Sequence, residues 1–162
     1  MRPMIPQATS TIRRTTTIMA IRYQHTQPGT LILVAMLIAA FALAAIAYLN
    51  PSPNGRWFPW ALALGFVLLS WLFSSLTVEV SDDQVRWHFG PGIWSYRIPL
   101  AEIESIKVVR NSWLNGFGIR MRPGFRLYNV SGLDAVELRL KSGDIRRIGT
   151  DDPQGLAASL KS

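Results

Sequence analysis

The pattern of apolar and polar positions changes character once along the chain, near Val78. Before that point two runs, Leu31 to Leu49 and Trp57 to Leu76, contain no charged residue and show no polar face. A helix has this pattern when all of its sides meet an apolar environment. With a rise of about 1.5 Å per residue, each run is long enough to cross a hydrocarbon core about 30 Å thick. Their Leu, Ile, Val and Phe residues contribute about −0.3 to −0.6 kcal/mol each, which favours insertion of either run by roughly 3 to 6 kcal/mol. The expectation is a hairpin of two transmembrane helices over residues 30–78. Its turn is Asn50 to Arg56, which is rich in Pro, Asn and Gly and so cannot continue a helix. Tyr48, Trp57 and Trp60 flank that turn, where amphipathic rings prefer the headgroup level. Ala35 and Ala39, Ala61 and Gly65, and Ser70 and Ser74 are small residues four apart, a spacing that permits close helix approach and is compatible with a homo-oligomer.

Past Val78 the period falls to two, the mark of half-buried strands. Val78 and Val80, then Val85, Trp87 and Phe89, then Trp94, Tyr96 and Ile98 alternate with polar neighbours, with turns at Ser81–Gln84 and Gly90–Gly92. Ile106 and Val108, Phe117 to Met121, Phe125 to Val130, and the hairpin of Val136 to Leu140 with Asp144 to Ile148 continue the series. Short turns between consecutive strands predict an antiparallel meander. A closing helix follows, in which Asp151 and Gln154 suit a capping box, Pro153 suits the first turn, and Leu156, Ala157 and Leu160 form an apolar face. The predicted fold is a two-helix transmembrane hairpin followed by an antiparallel β domain, a sheet or barrel capped by the C-terminal helix.

The formal charge of +7 is unevenly spread. Arg2, Arg13, Arg14 and Arg22 lie before the first helix and Arg56 in the turn, whereas residues 79–162 hold twelve basic and ten acidic side chains. By the positive-inside rule both termini are cytoplasmic and the turn faces outward. The basic excess beside the apolar runs is accounted for by topology selection and anionic lipid, which leaves no call for nucleic acid. Residues 1–29, free of acid and rich in Thr and Arg, read as a basic flexible tail. An organellar transit peptide and a cleaved signal peptide are rival readings of the same stretch, and Met19 is an alternative start. The chain has no cysteine, which excludes disulfides and thiolate chemistry.

No catalytic pattern emerges. His25 and His88 have no partners at metal-ligand or triad spacing, and Gly116-Phe117-Gly118 lacks the third glycine of a phosphate cradle. His88 reads as an outward strand residue. Trp87, Trp94 and Trp113 suit core or interfacial positions better than a base-stacking platform. The candidate binding surface is basic: Arg110, Arg120, Arg122 and Arg126. Arg120 and Arg122 share a strand face by the two-residue period, and Arg126 lies just across the Pro123-Gly124 turn. Solvated protection of a sheet edge is the bland alternative.

The segments Ile98 to Ile106, Asn115 to Arg120, Ala135 to Leu138 and Ile148 to Pro153, behind two apolar spans, resemble bacterial pleckstrin-homology-like domain membrane proteins. The likeness covers about half the chain. It implies a curved sheet capped by a C-terminal helix and used for binding, with no cofactor and no catalysis. Asp82 and Asp83 stand at the tip of the first hairpin, where lipid-binding members carry basic residues. The expectation for the whole chain is a multi-pass protein of the bacterial inner membrane. It comprises a tail (1–29), a hairpin (30–78) and a cytoplasmic β domain (79–162). Its expected role is to hold a membrane or cytoplasmic partner protein at the bilayer, with an anionic-lipid headgroup sensor as the alternative.

Overall fold

Twelve residues before the expected domain boundary already belong to the sheets. The computed structural model describes residues 20–49, 57–113 and 118–162. The expected turn at Asn50–Arg56, the tail with Arg2, Arg13, Arg14 and Met19, and the strand entry at Asn115–Phe117 lie outside the described residues. Within them the order is β1 (Ile21–Pro28), α1 (Thr30–Leu49), α2 (Trp57–Leu72), β2 (Ser75–Ser81), β3 (Gln84–Phe89), β4 (Ser95–Pro99), β5 (Ile103–Arg110), β6 (Gly118–Arg122), β7 (Phe125–Asn129), β8 (Asp134–Leu140), β9 (Ile145–Gly149) and α3 (Pro153–Ser159).

The expected flexible tail is corrected over its last part, because β1 is a strand. It pairs antiparallel with β2 from Ile21 opposite Ser81 to Pro28 opposite Ser75, so α1 and α2 are inserted between the two strands of a hairpin. Its inward positions are Tyr23, His25 and Gln27, which is why no hydrophobic alternation announces it. Side-chain bonds hold it instead. The Tyr23 hydroxyl donates to Asp152 Oδ2 at 3.0 Å, His25 pairs with Asp151, and Gln27 Nε2 donates to the Ser131 carbonyl at 2.9 Å.

The second apolar run divides where its period changes. α2 ends at Leu72, whereas Leu76, at the end of the expected span, is a core residue of β2 and 1% exposed. α1, with 20 residues, is long and apolar enough to cross a membrane, and only 17% of its apolar window is buried. α2 has 16 residues, about 24 Å at 1.5 Å per residue.

The junction between helices and sheet is tight. Gly29 N–H donates to the Ser74 carbonyl at 2.7 Å, and a Cβ on Gly90 (φ +44°) would stand 2.5 Å from the Leu72 carbonyl oxygen. Phe73 packs edge-on against Phe89, with centroids 5.3 Å apart.

The sheets have the orders β1-β2-β3-β4 and β5-β8-β9-β7-β6. Their inner faces meet in one core that includes Val78, Val85, Trp87, Phe89, Tyr128, Val136, Leu138 and Ile148, joined by Ile32 of α1 and by Leu156, Ala157 and Leu160 of α3. The expected all-antiparallel meander is corrected at one ladder. β9 inserts between β8 and β7 and runs parallel to β7, from Phe125 opposite Ile145 to Tyr128 opposite Ile148. The cap of α3 is Asp152, whose Oδ1 accepts from Gly155 N–H at 3.0 Å, which leaves Asp151 for His25.

Candidate functional site

The two ends of the sheets differ in what lies beside them. Pro28, Ser75, Phe89 and Ser95 lie at the helix end of the first sheet. In the second sheet that end is marked by Ser131, which accepts from Gln27 and lines a groove with Thr30 and Leu31. Arg110, Asn129 and Asp134 therefore lie toward the helices, and Arg122, Arg126, Leu140 and Ile145 at the far end. Strands of five residues at about 3.3 Å each put roughly 15 Å between the two ends.

This geometry separates the four predicted arginines. Arg110 ends β5, the edge strand opposite β6, which carries Arg120 and Arg122. Four inter-strand steps of about 4.8 Å, roughly 19 Å, divide them. The tight Pro123-Gly124 turn sets Arg122 opposite Phe125 and Arg126 opposite Met121, which points Arg126 to the other face from Arg120 and Arg122. The outer pair shares its face with Leu127 and with Arg147. Arg147 donates to Glu137 Oε2 at 2.7 Å and to Asn111 Oδ1 at 3.1 Å. Arg126 sits inward, beside Tyr128 and opposite Arg146 of β9. The single basic ridge is therefore corrected to three separate placements.

Arg126 leads to a site that the sequence reading did not assemble. At the far corner between the sheets is a cavity of about 230 Å³. Its floor is aromatic: Trp87 stacks on Tyr96 with centroids 5.8 Å apart, and Tyr128 lies 5.1 Å from Trp87 and 4.7 Å from Tyr96. Its rim carries Arg126, Arg146 and Glu102; Arg97 borders it too, but strand alternation sets its side chain with Arg86 on the outer face. Arg146 donates to Asp144 Oδ2 at 2.8 Å, whereas Arg126 makes no ion pair to a described residue. Arg126 also stands directly opposite Arg146, a cross-strand pair of like charge, which is unfavourable. The indole Nε1 of Trp87 is buried and has no hydrogen-bond partner among the described residues, an arrangement that native structures rarely leave unmet. Burial pushes the Tyr128 phenol up, partly opposed by Arg126. The one signal in the sequence was Arg146 and Tyr96 on inward-alternating positions, but which strands face each other is not a local property.

His88 lies on the outward face of β3, as expected, opposite Thr77 and Ser95. It is half-buried, with Gly92 above its ring. Among exposed apolar side chains outside the helices, Ile93, Trp94 and Trp113 lie in segments that follow the helix ends of β3 and β5. Between α1 and α2 runs an apolar groove of about 400 Å³, lined by Leu37, Phe41, Trp60 and Leu64 among others. Among the described residues no group of His, Asp or Glu is arranged to hold a metal ion. Comparison with known proteins finds no matching family model, no similar curated protein and no similar solved structure.

Proposed function

We propose that this chain is a non-catalytic, membrane-anchored binding protein of the bacterial inner membrane. In this reading α1 and α2 cross together, both termini are cytoplasmic, and a pleckstrin-homology-like β domain holds a partner protein near the bilayer. The observation that carries the proposal is the pairing of β1 with β2 on either side of the helices. Two paired strands occupy the same side of a membrane, so the segment between them crosses an even number of times. A crossing by α1 requires one by α2. The shortness of α2 costs only fractions of a kcal/mol per Å of mismatch, and Trp57 and Trp60 at its start suit an interface. Large exposures on both helices, such as 77% for Phe41 and 60% for Leu64, support lipid as their solvent. Ile93, Trp94 and Trp113 would then rest at the headgroups.

Position along the sheet favours a protein partner over the lipid-sensor alternative. Arg122 and Arg126 stand at the end away from the helices, beyond the screening length of about 8 Å at physiological ionic strength. The absence of cysteine makes the topology directly testable by labelling. Ser52→Cys should react with an impermeant maleimide in intact spheroplasts, and Ser142→Cys only after permeabilisation. The reverse pattern would sink the cytoplasmic assignment. A photocrosslinking side chain at position 126 should then capture protein in native membranes, and adducts with lipid alone would install the sensor in place of the scaffold.

A further inference from the structure

We propose that the corner cavity between the sheets binds a carboxylate-bearing segment of a partner protein, with an aromatic or other flat apolar group beside the acid. The proposal rests on the binding role put forward above and gives it a chemistry. The cavity offers mainly donors, the guanidiniums of Arg126 and Arg146, over a floor that includes Trp87. A lone carboxylate, Glu102, stands among them. Such a set accepts an anion and leaves a neutral or cationic group unmatched. The Arg146–Asp144 pair shows that a carboxylate already fits one of these guanidiniums at 2.8 Å. Arg126, repelled by Arg146 across the ladder, gains more from an added anion than a lone surface arginine would.

Size and shape narrow the choice. About 230 Å³ is below the usual range of small-molecule sites, about 300 to 1,000 Å³, and suits one or two side chains of a peptide. The floor of Trp87, Tyr96 and Tyr128 would be wasted on a bare inorganic anion but suits a flat apolar group, which prefers offset or edge-on contact with such rings. The headgroups of the anchoring bilayer lie at the opposite end of the strands.

The test uses the full chain in nanodiscs, with the Trp87 indole N–H resonance as reporter, identified by its displacement in Tyr96→Leu. The probes are N-acetyl-Glu-Phe with both carboxylates free, N-acetyl-Gln-Phe-amide, and inorganic phosphate, each at millimolar concentration. The dianionic peptide should move the Trp87 resonance, and the uncharged peptide and phosphate should not. Arg126→Ala with Arg146→Ala should weaken peptide binding about tenfold or more. Arg120→Ala with Arg122→Ala, which removes the same charge from the outer face, should change it less than about twofold. An unshifted Trp87 resonance in the free variants certifies that they are folded. A Trp87 resonance indifferent to the peptide, an equal response to phosphate, or equal losses in the two double variants would each overturn the proposal. If position 126 still captured protein while Trp87 stayed silent, the cavity would be excluded and the scaffold reading would stand.

Discussion

The helices and the sheets draw on the same apolar residue types and put them to opposite uses. Leu64 and Phe41 are 60% and 77% exposed, whereas Val136 and Leu138 are both 0% exposed. In α1 and α2 apolar side chains point in every direction, and a neighbouring helix covers only Ala40, Ala47, Ala63 and Ser70 well. In the sheets every second side chain enters a core shared by both layers. Composition alone does not separate these cases. Periodicity does, because a stripe or an alternating face exists only where two environments meet.

The largest effect expected from breaking this division concerns where the folding unit ends. A fragment of residues 79–162 lacks β1 together with Leu76 and Val78 of β2, and should show no cooperative melt. Replacing residues 31–72 with a short Asn-Gly-containing linker keeps Gly29 and Ser74, which already hydrogen-bond, and should give a sheet-dominated circular dichroism spectrum with a cooperative melt. If the 79–162 fragment melted cooperatively, β1 would be an accessory and the helices would be mounted on a complete domain.

Paired truncations sharpen the contrast between the two environments. Leu138→Ala should destabilise the β domain by about 2 to 5 kcal/mol through lost burial and a cavity. Leu64→Ala should alter denaturation in nanodiscs by less than about 0.5 kcal/mol, as expected for an exposed site. Comparable losses at the two positions would mean that the α1–α2 surface is packed against something other than lipid.

The junction between the regions yields a smaller effect. Gly90→Ala places a Cβ 2.5 Å from the Leu72 carbonyl oxygen and forces alanine to a φ of +44°, which should cost about 1 to 3 kcal/mol. Gly65→Ala, where an added Cβ meets nothing within 4 Å, serves as the control and should be neutral or slightly stabilising in the helix.

The smallest expected effect is the alkaline behaviour of β1. Burial, and then the bond to Asp152, pushes the Tyr23 phenol above its ordinary range. A folded-state pKa above the unfolded value near 10 means that this contribution is intact below about pH 10 and lost as pH rises beyond it. Melting temperatures should therefore fall as pH rises above about 10. Tyr23→Phe should flatten part of that fall and leave a remainder from Tyr128, also raised by burial. An unchanged slope would detach β1 from the titration.

Local pattern by itself determined much of this protein. The charge-free runs made two helices, alternation from Val78 onward made strands, glycine-marked turns at Gly124 and Gly143 joined them, and Pro153 with the adjacent aspartates opened α3. These outcomes depend on residues within a few positions of one another. The strand before α1, the end of α2 at Leu72, the parallel step of β7 onto β9, and the gathering of Arg126 and Arg146 beside Trp87 were decided only by tertiary structure. Each depends on a partner far away in sequence. β1 has no apolar face and exists because β2 offers it a ladder. The corner cavity exists because two sheets, formed from separate parts of the chain, close over a common core.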